Sequence, residues 1–69
     1  MHRVVVGMDE RIMDVGDSFS QLHTHVELWL LQQVGPLGES WHTTYESGAG
    51  YCVDFVDPSH ALAFKLSWL

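Results

Sequence analysis

The chain has 69 residues, of which three are Lys or Arg and nine are Asp or Glu, so its formal net charge is −6. This length supports one small domain, and a hydrophobic content of 46% argues against a disordered tail. The basic residues Arg3, Arg11 and Lys65 are too few and too scattered to neutralise a run of phosphates. We therefore expect no direct nucleic-acid binding.

The apolar stretches are short and there is a single cysteine. No stretch approaches the roughly 18 apolar residues of a membrane span, and the run that begins at Val4 is too short for a secretion signal. Cys52 cannot form an internal disulfide, so a cytoplasmic setting is expected. A core built from so few residues is marginal by itself. We therefore expect self-association as a homodimer or binding to a larger protein.

The N-terminal residues predict a strand. Residues 3–8 contain three successive valines, whose branched side chains favour the pleated geometry. Residues 8–16 are charged and end in glycine. They are interpreted either as a loop or as the return arm of a hairpin.

A helix is predicted from residue 17 to about residue 34, where the apolar spacing changes to a helical one. Asp17 or Ser18 is the expected N-cap, because the side-chain oxygen of either residue can accept from a free backbone N–H. Gly35 and Pro36 are expected to end the helix. The predicted stripe consists of Phe19, Leu22, Val26, Leu30 and Gln33, with Trp29 beside it.

Residues 39–56 predict an antiparallel hairpin. Two alternating segments, 39–46 and 51–56, flank a glycine-rich turn. In normal register, the aromatic side chains fall on one face of the hairpin and most polar ones on the other. The first face would hold Trp41, Thr43, Tyr45, Tyr51, Val53 and Phe55, and the second His42, Thr44, Glu46, Cys52, Asp54 and Val56.

The C-terminal segment allows two interpretations. Asp57 and Pro58 indicate a helix start, with a short helix over residues 59–63. Residues 64–68 then alternate with a period of two, which favours a final strand, although their spacing also fits a helix that continues to Leu69. If residues 64–68 form a strand, the chain is a small α+β domain with the order β-α-β-β-α-β. This order is that of a ferredoxin-like plait with a four-stranded antiparallel sheet. The alternative is β-α-β-β-α with a C-terminal helix.

His23 and His25 are the first candidates for a metal site, since the chain holds five histidines. On a helix, residues two apart point about 200° apart and cannot share a metal ion. Helical ligand pairs need a spacing of three or four. We therefore expect both histidines on the helix surface.

His42, Cys52 and Asp54 form a second constellation, because the predicted hairpin places all three on one face. A Cys–His pair can generate a reactive thiolate, and Cys, His and Asp can bind zinc. A lone cysteine is more often a small buried hydrophobe, however. We therefore expect no metal, no cofactor and no catalytic residues, and keep these three residues as an alternative site.

The functional hypothesis is a non-enzymatic interaction module. Trp29, Trp68 and Leu69 are the candidate interface residues, since large aromatic and apolar groups dominate binding surfaces. The module would form a homodimer or act as an adaptor or inhibitor of a larger protein, as compact acidic accessory proteins of phages do. The alternative hypothesis is a small ligand-binding or enzyme-like domain, with the alternative site completed by dimerisation. The third hypothesis is a DNA mimic, which requires acidic side chains along one face of the protein.

Overall fold

The computed structural model describes residues 1–15 and 20–69, and it shows a small α+β protein. The described elements in chain order are β1 (His2–Gly7), β2 (Met13–Val15), β3 (Ser20–Leu22), α1 (Thr24–Gln33), β4 (Trp41–Glu46), β5 (Gly50–Phe55) and α2 (Pro58–Trp68). β1, β5 and β4 form an antiparallel sheet in that spatial order, and β2 pairs with β3 in a separate antiparallel ribbon.

The central hairpin of β4 and β5 is confirmed, together with its register. Trp41 lies opposite Phe55, Thr43 opposite Val53 and Tyr45 opposite Tyr51, so the predicted aromatic face forms. At the start of β5, Gly50 has a φ of +90°, and a Cβ placed on it would come within 2.8 Å of the Gly7 Cα. Glycine is therefore required there by both its backbone angle and the close approach of β1.

The predicted strand at residues 64–68 is wrong, because these residues continue α2. Ala61 and Phe64 are buried on the inner side of the helix, and the Phe64 ring lies 5.5 Å from that of Phe55. The apolar residues at positions 64, 66 and 68 fit the spacing of a strand and also that of a helix. The burial of Ala61 and Phe64, three residues apart, is the helical pattern. The four-stranded ferredoxin-like plait is not confirmed, and the C-terminal helix of the alternative is the one observed.

The start of α2 is confirmed. Asp57 is the N-cap, its Oδ1 accepts from the backbone N–H of Ser59 at 2.9 Å, and Pro58 occupies the first turn. This hydrogen bond satisfies a backbone donor that the helix itself leaves free. The Ser59 hydroxyl also donates to Oδ1, at 2.8 Å, and this hydrogen bond, followed by the backbone one, lowers the pKa of the Asp57 carboxyl.

The start of α1 is corrected from residue 17 to Thr24. Residues 20–22 pair instead with residues 13–15, which places Leu22 in the core as a strand residue. Asp17, Ser18 and Phe19 lie outside the described residues. The end of the helix is confirmed, since the Gly35 N–H donates to the Leu30 oxygen at 3.0 Å with a φ of +137° at Gly35.

The core lies between one face of the three-stranded sheet, the two helices and the β2–β3 ribbon. Its buried members are Val4, Val6, Ile12, Met13, Leu22, Val26, Leu30, Trp41, Val53, Phe55, Ala61 and Phe64. Trp41 is anchored by its indole Nε1, which donates to the Gly35 oxygen at 2.8 Å. This bond links β4 to the end of α1.

Candidate functional site

The alternative site predicted from sequence lies on the face of the sheet opposite the core, which we call the polar face. This face includes Arg3, His42, Thr44, Glu46, Cys52 and Asp54, together with the exposed Val5 opposite Cys52. His42 lies directly opposite Asp54 on the neighbouring strand, and Thr44 lies opposite Cys52. The structure thus places the three predicted residues on the same face, as the alternation requires.

Asp54 is held by Arg3 through two hydrogen bonds. The Arg3 Nε donates to Oδ1 at 2.8 Å and Nη2 donates to Oδ2 at 3.2 Å, while Thr44 Oγ1 donates to Oδ2 at 3.5 Å. The Arg3 hydrogen bonds lower the pKa of the Asp54 carboxyl, against the opposing effect of burial, and raise the pKa of the guanidinium. Asp54 is therefore a buried carboxylate stabilised as an ion.

Arg3 also reaches the third strand, because its Nη1 lies 2.5 Å from the Glu46 Oε1. One guanidinium thus connects β1, β5 and β4 on the polar face. In the sequence, Arg3 stands out only as one of three scattered cations. The available signal was its position next to Val4, which places the Arg3 side chain on the face opposite the core once β1 is a strand.

Cys52 is fully buried on the polar face. Its Sγ lies 3.6 Å from the Gly50 oxygen, a contact in which the thiol donates. Among the described residues, no hydrogen bond joins Cys52 or Asp54 to His42. The geometry therefore commits Asp54 to Arg3 and Cys52 to a backbone carbonyl, and this face holds the three strands together.

His25 lies on the exposed surface of α1, as predicted, whereas His23 does not belong to the helix. His23 is the N-cap of α1 and is outside the helix, and its ring stacks on that of His25 at a centroid distance of 5.4 Å. The His23 Nε2 also lies 2.7 Å from the Glu10 oxygen. Across residues 1–15 and 20–69, no group of three or more His, Cys, Asp or Glu side chains is placed to hold a metal ion.

The predicted interface residues Trp29 and Trp68 are half-buried against each other. Their rings meet edge to face at 6.2 Å, and the Trp68 ring also lies 5.5 Å from that of His25. These contacts join α1 to α2. Core packing therefore occupies part of both indoles, while the third predicted residue, Leu69, is exposed.

The outer side of α2 carries an exposed row of leucines, which we call the leucine stripe: Leu62, Leu66 and Leu69. Residues spaced by four and three line one side of a helix. Ala61, Phe64 and Trp68 occupy the inner side. Of these three leucines, only Leu69 is among the interface residues predicted from sequence, and the stripe exists only because residues 64–68 continue α2.

No family model, curated protein or solved structure gives a significant match to this chain. Neither helix in the described part of the chain is long and apolar enough to cross a membrane.

Proposed function

We propose that this protein is a small non-enzymatic interaction module, an adaptor or inhibitor of another protein, and that the leucine stripe is its contact surface. The observation that carries the proposal is the exposure of the stripe: 57% for Leu62, 79% for Leu66 and 54% for Leu69. Complete burial of one leucine contributes about 1.5–3 kcal/mol. A partner that covers the stripe would therefore gain a substantial part of its binding energy there.

The position of the stripe supports this role. The inner side of α2 is already filled by the core, so the leucines cannot be covered by rotating the helix without exposing Phe64. Contiguous exposed apolar side chains on a small protein mark interaction surfaces more often than single ones do. The three leucines of the stripe are spaced by four and three residues, two on α2 and one at its C-cap.

The charge of the chain supports a protein partner over a nucleic acid. Glu10, Asp14 and Glu27 are exposed, and the formal net charge is −6. Such a field repels phosphates and accelerates encounter with a basic protein surface. Because Cys52 is unpaired and buried, we include a reducing, cytoplasmic setting in the proposal. The accessory role expected from the sequence is also part of it.

Affinity capture with two matched variants tests the proposal. Leu66→Gln removes the most exposed leucine of the stripe, and Leu28→Gln makes the same change at a leucine on α1 that is 49% exposed. Tagged wild type and Leu28→Gln should retain the same identified partner from a native lysate, and Leu66→Gln should lose it. Equal retention by all three proteins would contradict the proposal.

A further inference from the structure

The cations of the chain differ in whether they already have a carboxylate partner. Arg3 and Arg11 both form ion pairs with Asp or Glu side chains of the chain itself. Lys65 is exposed, and no carboxylate in the described part of the chain lies within ion-pair distance of it. α2 itself contains no Asp or Glu, although the chain has nine. The charge of Lys65 is therefore available to a group outside the chain.

Lys65 borders the leucine stripe. It is three residues after Leu62 and four before Leu69, and side chains at these spacings are neighbours on a helix surface. With 3.6 residues per turn, the opposite border of the stripe is formed by other exposed side chains. These are small and uncharged: Ser59, Ala63 and Ser67. The outer side of α2 is thus an apolar ridge with a positive charge along one border and a shallow, uncharged surface along the other.

The geometry of α2 favours a helix as the element that covers this ridge. The backbone groups in the middle of a helix are paired within it, so α2 offers side chains and no strand edge. An extended segment laid on the leucines would bury some of its own backbone groups without partners, whereas a helix pairs them internally. Ridges of one helix also fit grooves of another, and the small residues beside the leucines form such a groove. The ridge is about 10 Å long, which corresponds to about two helical turns.

The charge of the chain argues for a different protein as the source of this helix. In a second copy, the matching element would be α1, whose exposed residues include Glu27, Leu28 and Leu31. Two copies that each carry a formal net charge of −6 repel one another, however. A protein with a basic surface is attracted instead, and only its contact helix has to supply a carboxylate for Lys65.

We propose that the leucine stripe binds an amphipathic helix of another protein, one that carries apolar residues at spacings of three and four and an Asp or Glu beside Lys65. This inference deepens the proposed function and rests on it, since it names the structural and chemical class of the partner. Exposed ion pairs add little affinity. The leucines therefore supply the binding energy, and Lys65 selects which helix binds and how it is oriented.

Charge variants at Lys65 test the carboxylate. The probe is the protein that wild type retains in the affinity capture, identified by mass spectrometry and purified. Its Kd should rise about twofold to fivefold with Lys65→Gln. It should rise at least about tenfold with Lys65→Glu, which brings like charges together. Gln32→Glu, at an exposed position of α1, changes the net charge by the same amount as Lys65→Gln and should leave the Kd unchanged.

A zero-length cross-link locates the carboxylate in the partner. Lys65 is the only lysine of the chain, so a carbodiimide can join its side chain only to an Asp or Glu within contact distance. The expected product is an amide between the Lys65 Nζ and a carboxylate in an amphipathic helix of the captured protein. Lys65→Gln should not form this product.

The remaining outcomes overturn the inference in distinguishable ways. Unchanged binding by Lys65→Glu, or no cross-link from Lys65, would reject the acidic helix, and the proposed function would stand if capture still depends on Leu66. A cross-link from Lys65 to a loop or strand would reject the helix. A cross-link to Glu27 in a dimer of this chain would assign the ridge to a second copy. Capture that does not depend on Leu66, or no capture at all, would reject the proposed function as well.

Discussion

The two faces of the three-stranded sheet are buried by different means. The core face buries Val4, Val53 and Phe55 against apolar side chains, including Phe64 of α2. The polar face buries Asp54 beneath a partly exposed guanidinium and buries the Cys52 thiol, which donates to the Gly50 oxygen. Apolar burial is non-directional and scales with area, whereas a buried carboxylate is stable only while its hydrogen-bond donors remain in place. The core face should therefore determine most of the free energy of unfolding. The polar face should determine how that free energy depends on pH and on the individual hydrogen-bond donors of Asp54.

The largest effect is expected on the core face, from Phe64→Ala. The Phe64 ring contacts those of Phe55 and Trp29 at 5.5 and 6.0 Å and is fully buried. Removing it should lower the free energy of unfolding by about 3–5 kcal/mol through lost burial and a residual cavity. Urea denaturation followed by far-UV circular dichroism measures this change.

Leu28→Ala provides the matched control for that variant, because Leu28 is a half-exposed leucine on the other helix. Its effect should stay within about 0.5 kcal/mol. A Phe64→Ala variant that unfolds at nearly the same urea concentration as Leu28→Ala would show that the core face does not dominate stability.

The second effect separates the two partners of the polar-face ion pair. Asp54→Asn should lower the free energy of unfolding by on the order of 1 kcal/mol, because a charge-assisted hydrogen bond is weakened and the exposed Arg3 is solvated instead. Arg3→Met should be more damaging, since it leaves the Asp54 carboxylate buried without its main donor. Urea denaturation of both variants at pH 7 gives the comparison.

The double variant Arg3→Met/Asp54→Asn completes this test. It should be more stable than Arg3→Met alone, because the buried negative charge is gone. The reverse order, with Asp54→Asn more damaging than Arg3→Met, would mean that the burial of Asp54 is not the controlling cost.

Sequence reasoning located the central hairpin and the α2 start because both depend on neighbours in the chain. Alternation over residues 41–46 and 50–55 determines which face each side chain occupies. The Asp57 cap contacts a residue two positions away. From these local rules, His42, Cys52 and Asp54 were correctly placed on one face.

Sequence reasoning failed where distant contacts decide the structure. Leu22 fits a helical stripe, yet it is buried in the core as a strand residue, because its segment pairs with residues 13–15. Phe64 fits a strand, yet it is helical because Phe55 and Trp29 lie on one side of it. The Arg3–Asp54 pair spans 51 positions in sequence. No local period could have indicated it.

The third effect is a pH dependence specific to the polar face. The pKa of Asp54 is lower in the folded protein than the usual Asp value of about 3.9. The resulting stabilisation is complete at neutral pH and is lost as the pH falls through the folded pKa. The difference in unfolding free energy between wild type and Asp54→Asn should therefore be constant from pH 7 to about pH 5 and shrink below about pH 4.

Other carboxylates also contribute to the loss of stability at low pH, both in wild type and in Asp54→Asn. The Arg11 hydrogen bonds lower the pKa of Asp9 to about 2, so stability should still fall with acid in Asp54→Asn. Glu39→Gln removes one negative charge from an exposed loop and controls for net charge. A gap between wild type and Asp54→Asn that widens on acidification would contradict the direction of the Asp54 shift.

The smallest effect is expected at His42, and it tests the alternative site directly. If His42 activated Cys52, His42→Ala would slow the reaction of the thiol with a disulfide reagent. The thiol instead contacts the Gly50 oxygen and is fully buried, so labelling should require local opening of β5. Native wild type should thus react at least about a hundredfold more slowly than protein in urea. His42→Ala should leave that native rate unchanged and shift stability by no more than about 0.5 kcal/mol. A native rate that falls with His42→Ala while stability stays constant would mean that the polar face carries thiol chemistry as well as an ion pair.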